Sequence, residues 1–123
     1  NDELLEKNRG NGLSVSTSLG STAYNKSLGG SIVSPKIETM QLCEIAPIQH
    51  TVYRTLGASL VLSKEDVITL IGEYDSSLIG YDHQNFSLEN VIKIKVKLSS
   101  EKVTFLRSNQ YSYIKTLKRS FIN

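Results

Sequence analysis

Residues 11–30 read NGLSVSTSLGSTAYNKSLGG, and this stretch changes character twice along its length. Leu13-Ser14-Val15-Ser16 alternates apolar and hydroxyl side chains with the period of two that marks a half-buried strand. The alternation stops where Ser16, Thr17, Ser18, Ser21 and Thr22 crowd around Gly20, and a short helical segment, residues 23–28, precedes the Gly29-Gly30 pair. Ser21 or Thr22 is placed to cap the start of that helix, and Gly29 to adopt the left-handed conformation that ends it. Strand, glycine turn and helix start would gather hydroxyls and backbone N–H groups in one concavity, an arrangement that attracts phosphates and other anions.

Outward from this stretch, the chain reads as short strands. Upstream, Asn8-Arg9-Gly10-Asn11-Gly12 is a turn, because asparagine and glycine accept positive φ. Residues 2–7 (DELLEK) fit a strand edge or a frayed linker equally well. Downstream, residues 31–35 are a brief extended segment ended by Pro35. Residues 39–45 (TMQLCEI) alternate as a strand, with Met40 and Leu42 on one side and Thr39, Gln41 and Cys43 on the other. Two more strands, residues 59–62 and 67–71, flank a polar turn, and residues 78–82 are a further candidate. The clearest alternation sets Ile92, Ile94, Val96 and Leu98 against Lys93, Lys95 and Lys97, and residues 103–106 are expected to return beside it as a hairpin. Near the end, Tyr113, Ile114, Leu117 and Phe121 fall on one face of a short amphipathic helix with cations towards its C-terminus. Many short strands with two brief helices predict a mainly β, antiparallel β-sandwich built as one domain over residues 1–123.

Composition narrows the function. Fourteen basic against twelve acidic residues leave a net charge of +2, too mild to point to nucleic acid. The lysine row at 93, 95 and 97 has no interleaved aromatics, so it reads as a solvated face that guards the sheet against edge pairing. No apolar run approaches a membrane span, and the single cysteine, Cys43, suits a reducing, cytoplasmic setting. Cys43, His50 and His83 show no metal-ligand spacing, and no metal site is expected. Asn1 is not a methionine, which leads us to expect a piece of a longer chain.

The order Gly20-Ser21-Thr22-Ala23-Tyr24, then Gly29-Gly30, with Asn11-Gly12 and a strand upstream, resembles the signature of the NAD kinases. In that family the segment reads roughly DGL-x-x-ST-x-x-G-[ST]-TAY, four residues, GG, and lies in the carboxy-terminal, NAD-binding domain. Agreement extends through Glu44-Ile45-Ala46-Pro47, Val52-Tyr53-Arg54-Thr55-Leu56-Gly57, Asp82-His83 and Ser120-Phe121-Ile122. The chain departs from the pattern at Asn11, where an aspartate is usual, at Leu19, where a hydroxyl residue is common, and at Ser34, where histidine usually precedes the proline.

The resemblance implies an acceptor-holding role. It places Thr22, Ala23, Tyr24 and Ser27 around the adenosine half of NAD, with Ala46 and Ile48 lining the same pocket. It sets Asn11 against the nicotinamide amide and Asp82 near the ribose and phosphates. It further implies homo-dimers or tetramers, and a whole enzyme that phosphorylates the adenosine ribose 2′-hydroxyl of NAD to give NADP, using ATP or polyphosphate and a divalent metal. The Gly-Gly-Asp-Gly motif that supplies ATP contacts and the catalytic aspartate does not occur here. In the family it sits in an amino-terminal α/β domain, so this chain, lacking both, is expected to contain no catalytic residue and to be inactive by itself. The alternatives are a stand-alone dinucleotide-binding or sequestering module, and an oligomerisation domain without ligand.

Overall fold

The computed structural model describes residues 1–7, 11–47, 54–74 and 77–122. It is mainly β, and every strand pairing in it is antiparallel. Strands β1 (Gly12–Thr17), β2 (Thr39–Ile45) and β3 (Leu60–Ser63) form one sheet with β2 in the middle. Strands β4 (Ile68–Tyr74) and β7 (Val91–Val96) form a second, and β5 (Ser77–Tyr81) and β6 (Gln84–Leu88) a hairpin inserted between them. Two helices complete the chain, α1 (Tyr24–Ser27) and α2 (Tyr113–Phe121), with a single 3-10 turn (Leu19–Thr22) leading into α1.

The register of the first sheet separates two kinds of side chain. Leu13, Val15 and Thr17 of β1 face Glu44, Leu42 and Met40, so this face collects the apolar residues, and Met40 is fully buried. Ser14 and Ser16 face Cys43 and Gln41, and Gln41 in turn pairs with Val61 of β3. This second face is polar, yet Gln41 and Cys43 on it are buried, because the segment 18–33 folds back over it. Covering a polar sheet face is costly unless its donors and acceptors find partners there, and of the buried side-chain polar atoms among the described residues only the Ser16 hydroxyl lacks one.

Two expectations need correction. The strand Val91–Val96 pairs with Ile68–Tyr74, and residues 103–106 form no strand and are exposed. Matching apolar rows decide this: Ile68 and Leu70 stand opposite Val96 and Ile94 and bury Ile68, whereas Phe105 and Leu106 are adjacent and offer no alternating face. Asp82 and His83 are not strand residues. They form the turn between β5 and β6, where Asp82 takes a left-handed φ of 52°. Strand β6 carries little strand signal in its sequence, since Gln84, Asn85 and Ser87 are weak strand formers; the Tyr81 ring stacks on Phe86 at 5.2 Å. Residues 2–7 form no strand. They are held by side chains, Glu6 accepting the Leu56 N–H at 2.9 Å and Asn1 Nδ2 donating to Asp66 at 2.9 Å.

Candidate functional site

The segment after β1 turns back through the 3-10 turn and α1 to lie on the polar face of the sheet. Neither Ser21 nor Thr22 caps α1, as the sequence suggested; its N-cap is Ala23, with no side-chain bond. Ser21 is fully buried instead, and its hydroxyl accepts the Val33 N–H at 2.9 Å. Ser18, also buried, donates to the Ile37 carbonyl and sits 3.1 Å from the Thr39 hydroxyl. Thr17 Oγ1 accepts the Gly20 N–H at 3.1 Å. The hydroxyls that looked like a cradle for anions are therefore mostly engaged in holding the turn, and several of its amides bond internally as well.

At the other end of α1 the glycine reading holds. Gly29 takes a φ of 83°, its N–H bonds to the Lys26 carbonyl at 3.0 Å, and the Gly30 N–H bonds to the Asn25 carbonyl at 2.9 Å. This pair of bonds is the Schellman closure of a helix C-terminus.

Asn25 and Gln41 organise the site, and sequence reasoning missed both. Buried Asn25 donates Nδ2 to the carbonyls of Ser21 (2.9 Å) and Ser31 (3.2 Å), while Oδ1 receives the Cys43 thiol at 3.0 Å. Gln41 clamps Ser31 from the sheet, accepting its N–H at 2.7 Å and donating to its carbonyl at 3.0 Å. Gly30 must be glycine for this packing, since a Cβ there would lie 2.4 Å from Asn25 Oδ1. Burial raises the Cys43 thiol pKa above its usual value, which leaves the thiol protonated and unreactive at neutral pH. The one signal available was position: Asn25 lies between the TAY and GG parts of the motif, and Gln41 on the buried side of β2.

The predicted site residues fall into three groups. Thr22, Ala23, Tyr24 and Ser27 share the 3-10 turn and α1; Tyr24 is 57% exposed, and the hydroxyls of Thr22 and Ser27 have no hydrogen-bond partner among the described residues. Asn11 and Ala46 meet at the opposite end of the β1–β2 pair, where the Asn11 N–H donates to the Ile45 carbonyl at 3.0 Å and Ala46 takes a left-handed φ of 46°. A hollow of about 320 Å³ opens between the end of α1 and this end of β2, with Leu28 and Gly29 on one side and Cys43, Glu44 and Pro47 on the other. Asp82 sits apart, at the β5–β6 turn, with no hydrogen bond or ion pair to segment 18–33 among the described residues. Ile48 lies outside the described residues, as does His50.

On the rim of the hollow two carboxyl groups meet. Glu44 accepts the Thr55 hydroxyl at 2.7 Å, and the Glu6 carboxyl, when protonated, can donate to Glu44. Burial first, then the hydrogen bond and charge of Glu44, raise the Glu6 pKa above the usual carboxylate range, against the Leu56 N–H, which lowers it. Among the described residues no group of three or more His, Cys, Asp or Glu side chains could share a metal ion. Nor is any helix among them long and apolar enough to cross a membrane.

Residues 1–108 match the family described as ATP-NAD kinase C-terminal domain. The chain is 43% identical over 127 residues to the NAD kinase of Streptococcus thermophilus strain CNRZ 1066, a match covering 99% of this chain and 44% of that protein. It is 42% identical to the NAD kinase of Streptococcus pyogenes serotype M28, with the same coverage. Against the NAD kinase of Lactococcus lactis subsp. cremoris strain MG1363 the identity is 38% over 122 residues, covering 98% of this chain and 45% of that protein. The chain thus spans less than half the length of these relatives.

Proposed function

Because the chain belongs to the family of ATP-NAD kinase C-terminal domains, we propose that it is the half of an NAD kinase that holds the dinucleotide acceptor. The observation that supports this reading is the hollow between Leu28-Gly29 and Cys43, Glu44 and Pro47, which adjoins in sequence the residues expected to touch NAD on α1 and after β2, although it is lined by none of them. The Tyr24 ring offers a surface for an adenine to stack on, and Thr22 and Ser27 offer hydroxyls with no internal partner among the described residues. The family resemblance assigns Ala46 and Ile48 to the dinucleotide site, and Asn11, at the same end of the β1–β2 pair as Ala46, offers an amide able both to donate and to accept towards the nicotinamide carboxamide. Asp82, at the β5–β6 turn, is assigned to the ribose and phosphates by the family resemblance, and assembly as a homo-dimer or tetramer belongs to the same reading.

In the whole enzyme, catalysis of phosphoryl transfer is mostly positioning and charge stabilisation. This half supplies positioning of the acceptor ribose. We assign the donor, ATP or polyphosphate, and its divalent metal to the polypeptide outside this domain, and the whole enzyme to the cytoplasm. Calorimetric titration of the 123-residue chain with NAD and NADP tests the reading. Saturable heat is expected, and heat no greater than dilution would refute it.

A further inference from the structure

Gly57, Ala58 and Ser59 form one wall of the hollow beside β2, and the chain is gripped twice just before that wall begins. The Thr55 hydroxyl donates to Glu44 at 2.7 Å, and the Leu56 N–H donates to Glu6 at 2.9 Å. Glu44 is part of β2 and itself lines the hollow, whereas Glu6 comes from the first residues of the chain. Both grips are thus made by acids, and the two carboxyls lie within hydrogen-bonding reach of each other. Each is half-buried, and neither makes an ion pair among the described residues. Lys7 and Arg54, the cations next in sequence to Glu6 and Thr55, pair with neither. Glu44 is the one charge that acts on Glu6 among the described residues, and the adjacent Cys43 thiol is held neutral by burial. Two carboxylates so placed repel each other, and a single proton between them replaces the repulsion with a hydrogen bond.

We propose that a proton shared by Glu6 and Glu44 fastens the 55–59 wall of the hollow to the end of β2, and that its loss lets the carboxylates part and the wall move away. Burial and Glu44 outweigh the Leu56 N–H and raise the Glu6 pKa, so the proton is held on the acid side and leaves as pH rises through that elevated value. The wall is fastened at low pH and released at high pH. Resting on the reading of this hollow as adjoining the NAD site, release weakens NAD binding, because the ligand must then order the wall as it binds.

Cys43 reports on the wall. It is the single cysteine of the chain, it is 2% exposed, and it lines the hollow opposite the segment said to move. Its rate of reaction with a pyridyl disulfide is measured in the 123-residue chain and in Glu6→Gln, whose amide donates to Glu44 and accepts from Leu56 at every pH. The ratio of the two rates cancels the pH dependence of the thiol itself. A ratio near one is expected at about pH 4, with the natural chain at least about fivefold faster at about pH 8. A ratio that does not change with pH overturns the proposal. Glu44→Gln supplies a second variant, since its amide can donate to ionised Glu6 and should likewise suppress the fast reaction at high pH. A rate in Glu44→Gln that rises as in the natural chain overturns the shared proton. In calorimetry the Kd for NAD should increase at least about threefold over the same pH span in the natural chain and stay level in Glu6→Gln. A level Kd in the natural chain overturns the coupling to binding. No NAD enters the thiol measurement, so a chain that binds none refutes the acceptor reading while Cys43 still decides the fastening.

Discussion

Among single residues, Asn25 is tightly constrained, being 2% exposed with both ends of its amide engaged. Its amide closes the loop 21–31 onto the sheet, so Asn25→Ala leaves the Ser21 and Ser31 carbonyls without their buried donor and the Cys43 thiol without an acceptor. At about 1–3 kcal/mol for each buried group left unsatisfied, we expect a loss of roughly 3 kcal/mol, read as a lower urea midpoint. Gly30→Ala should be comparably damaging, since its methyl group would meet the same amide; an unchanged midpoint would show that Asn25 can swing aside. Tyr24 is the contrasting case, because its exposed ring supports little of the fold. Tyr24→Ala should keep the midpoint while weakening NAD binding by about 1–3 kcal/mol, the range for base-stacking aromatics, as measured by calorimetry. A folded variant with wild-type affinity would remove Tyr24 from the pocket.

Of the elements, the two helices end by different means. Helix α1 has no side-chain N-cap and depends on its glycine closure, whereas α2 has Ser112 at its N-cap, accepting the Lys115 N–H at 3.3 Å, and Lys118 and Arg119 in its last turn. Ser112→Ala should cost about 1 kcal/mol, with the loss appearing as faster amide exchange confined to α2. Exchange accelerated across the whole domain would mean that α2 is integral to the fold, not a flank laid upon it. Among the strands, pairing follows burial and not proximity in sequence. Strand β7 skips residues 103–106, which lie a few positions on, and pairs with β4, whose apolar row it can cover.

For the chain as a unit, the Glu6–Glu44 contact ties the first residues to β2 and to Leu56. A carboxyl whose pKa is raised by folding is favoured in its protonated form, so its contribution to stability is present below the ordinary glutamate pKa, about 4.3, and is lost as pH rises through the elevated value. Glu6→Gln, which mimics the protonated side chain, should therefore behave like the natural protein near pH 4. It should become the more stable of the two as the pH is raised towards 7, by comparison of urea midpoints. A stability difference independent of pH would separate Glu6 from this titration. Asp66 works in the opposite sense. Hydrogen bonds from Asn1 and Ser63 lower its pKa, so what it contributes is lost as pH falls through that lowered value.

Local pattern alone settles the mainly β class, the strand Thr39–Ile45 to the residue, the positive φ of Gly29 and the family, because these follow from alternation, from a backbone requirement and from an ordered motif. It misjudges the hydroxyl cluster, since a serine that will be buried and one that will meet a ligand have the same side chain. Only the fold-back of segment 18–33 onto the polar face of the sheet makes Ser18, Ser21, Asn25 and Gln41 structural and leaves Tyr24 exposed. Long-range packing likewise chose β4 over residues 103–106 as the partner of β7, because that choice rests on which apolar rows can bury each other across 17 to 28 residues of chain, a quantity no local pattern contains.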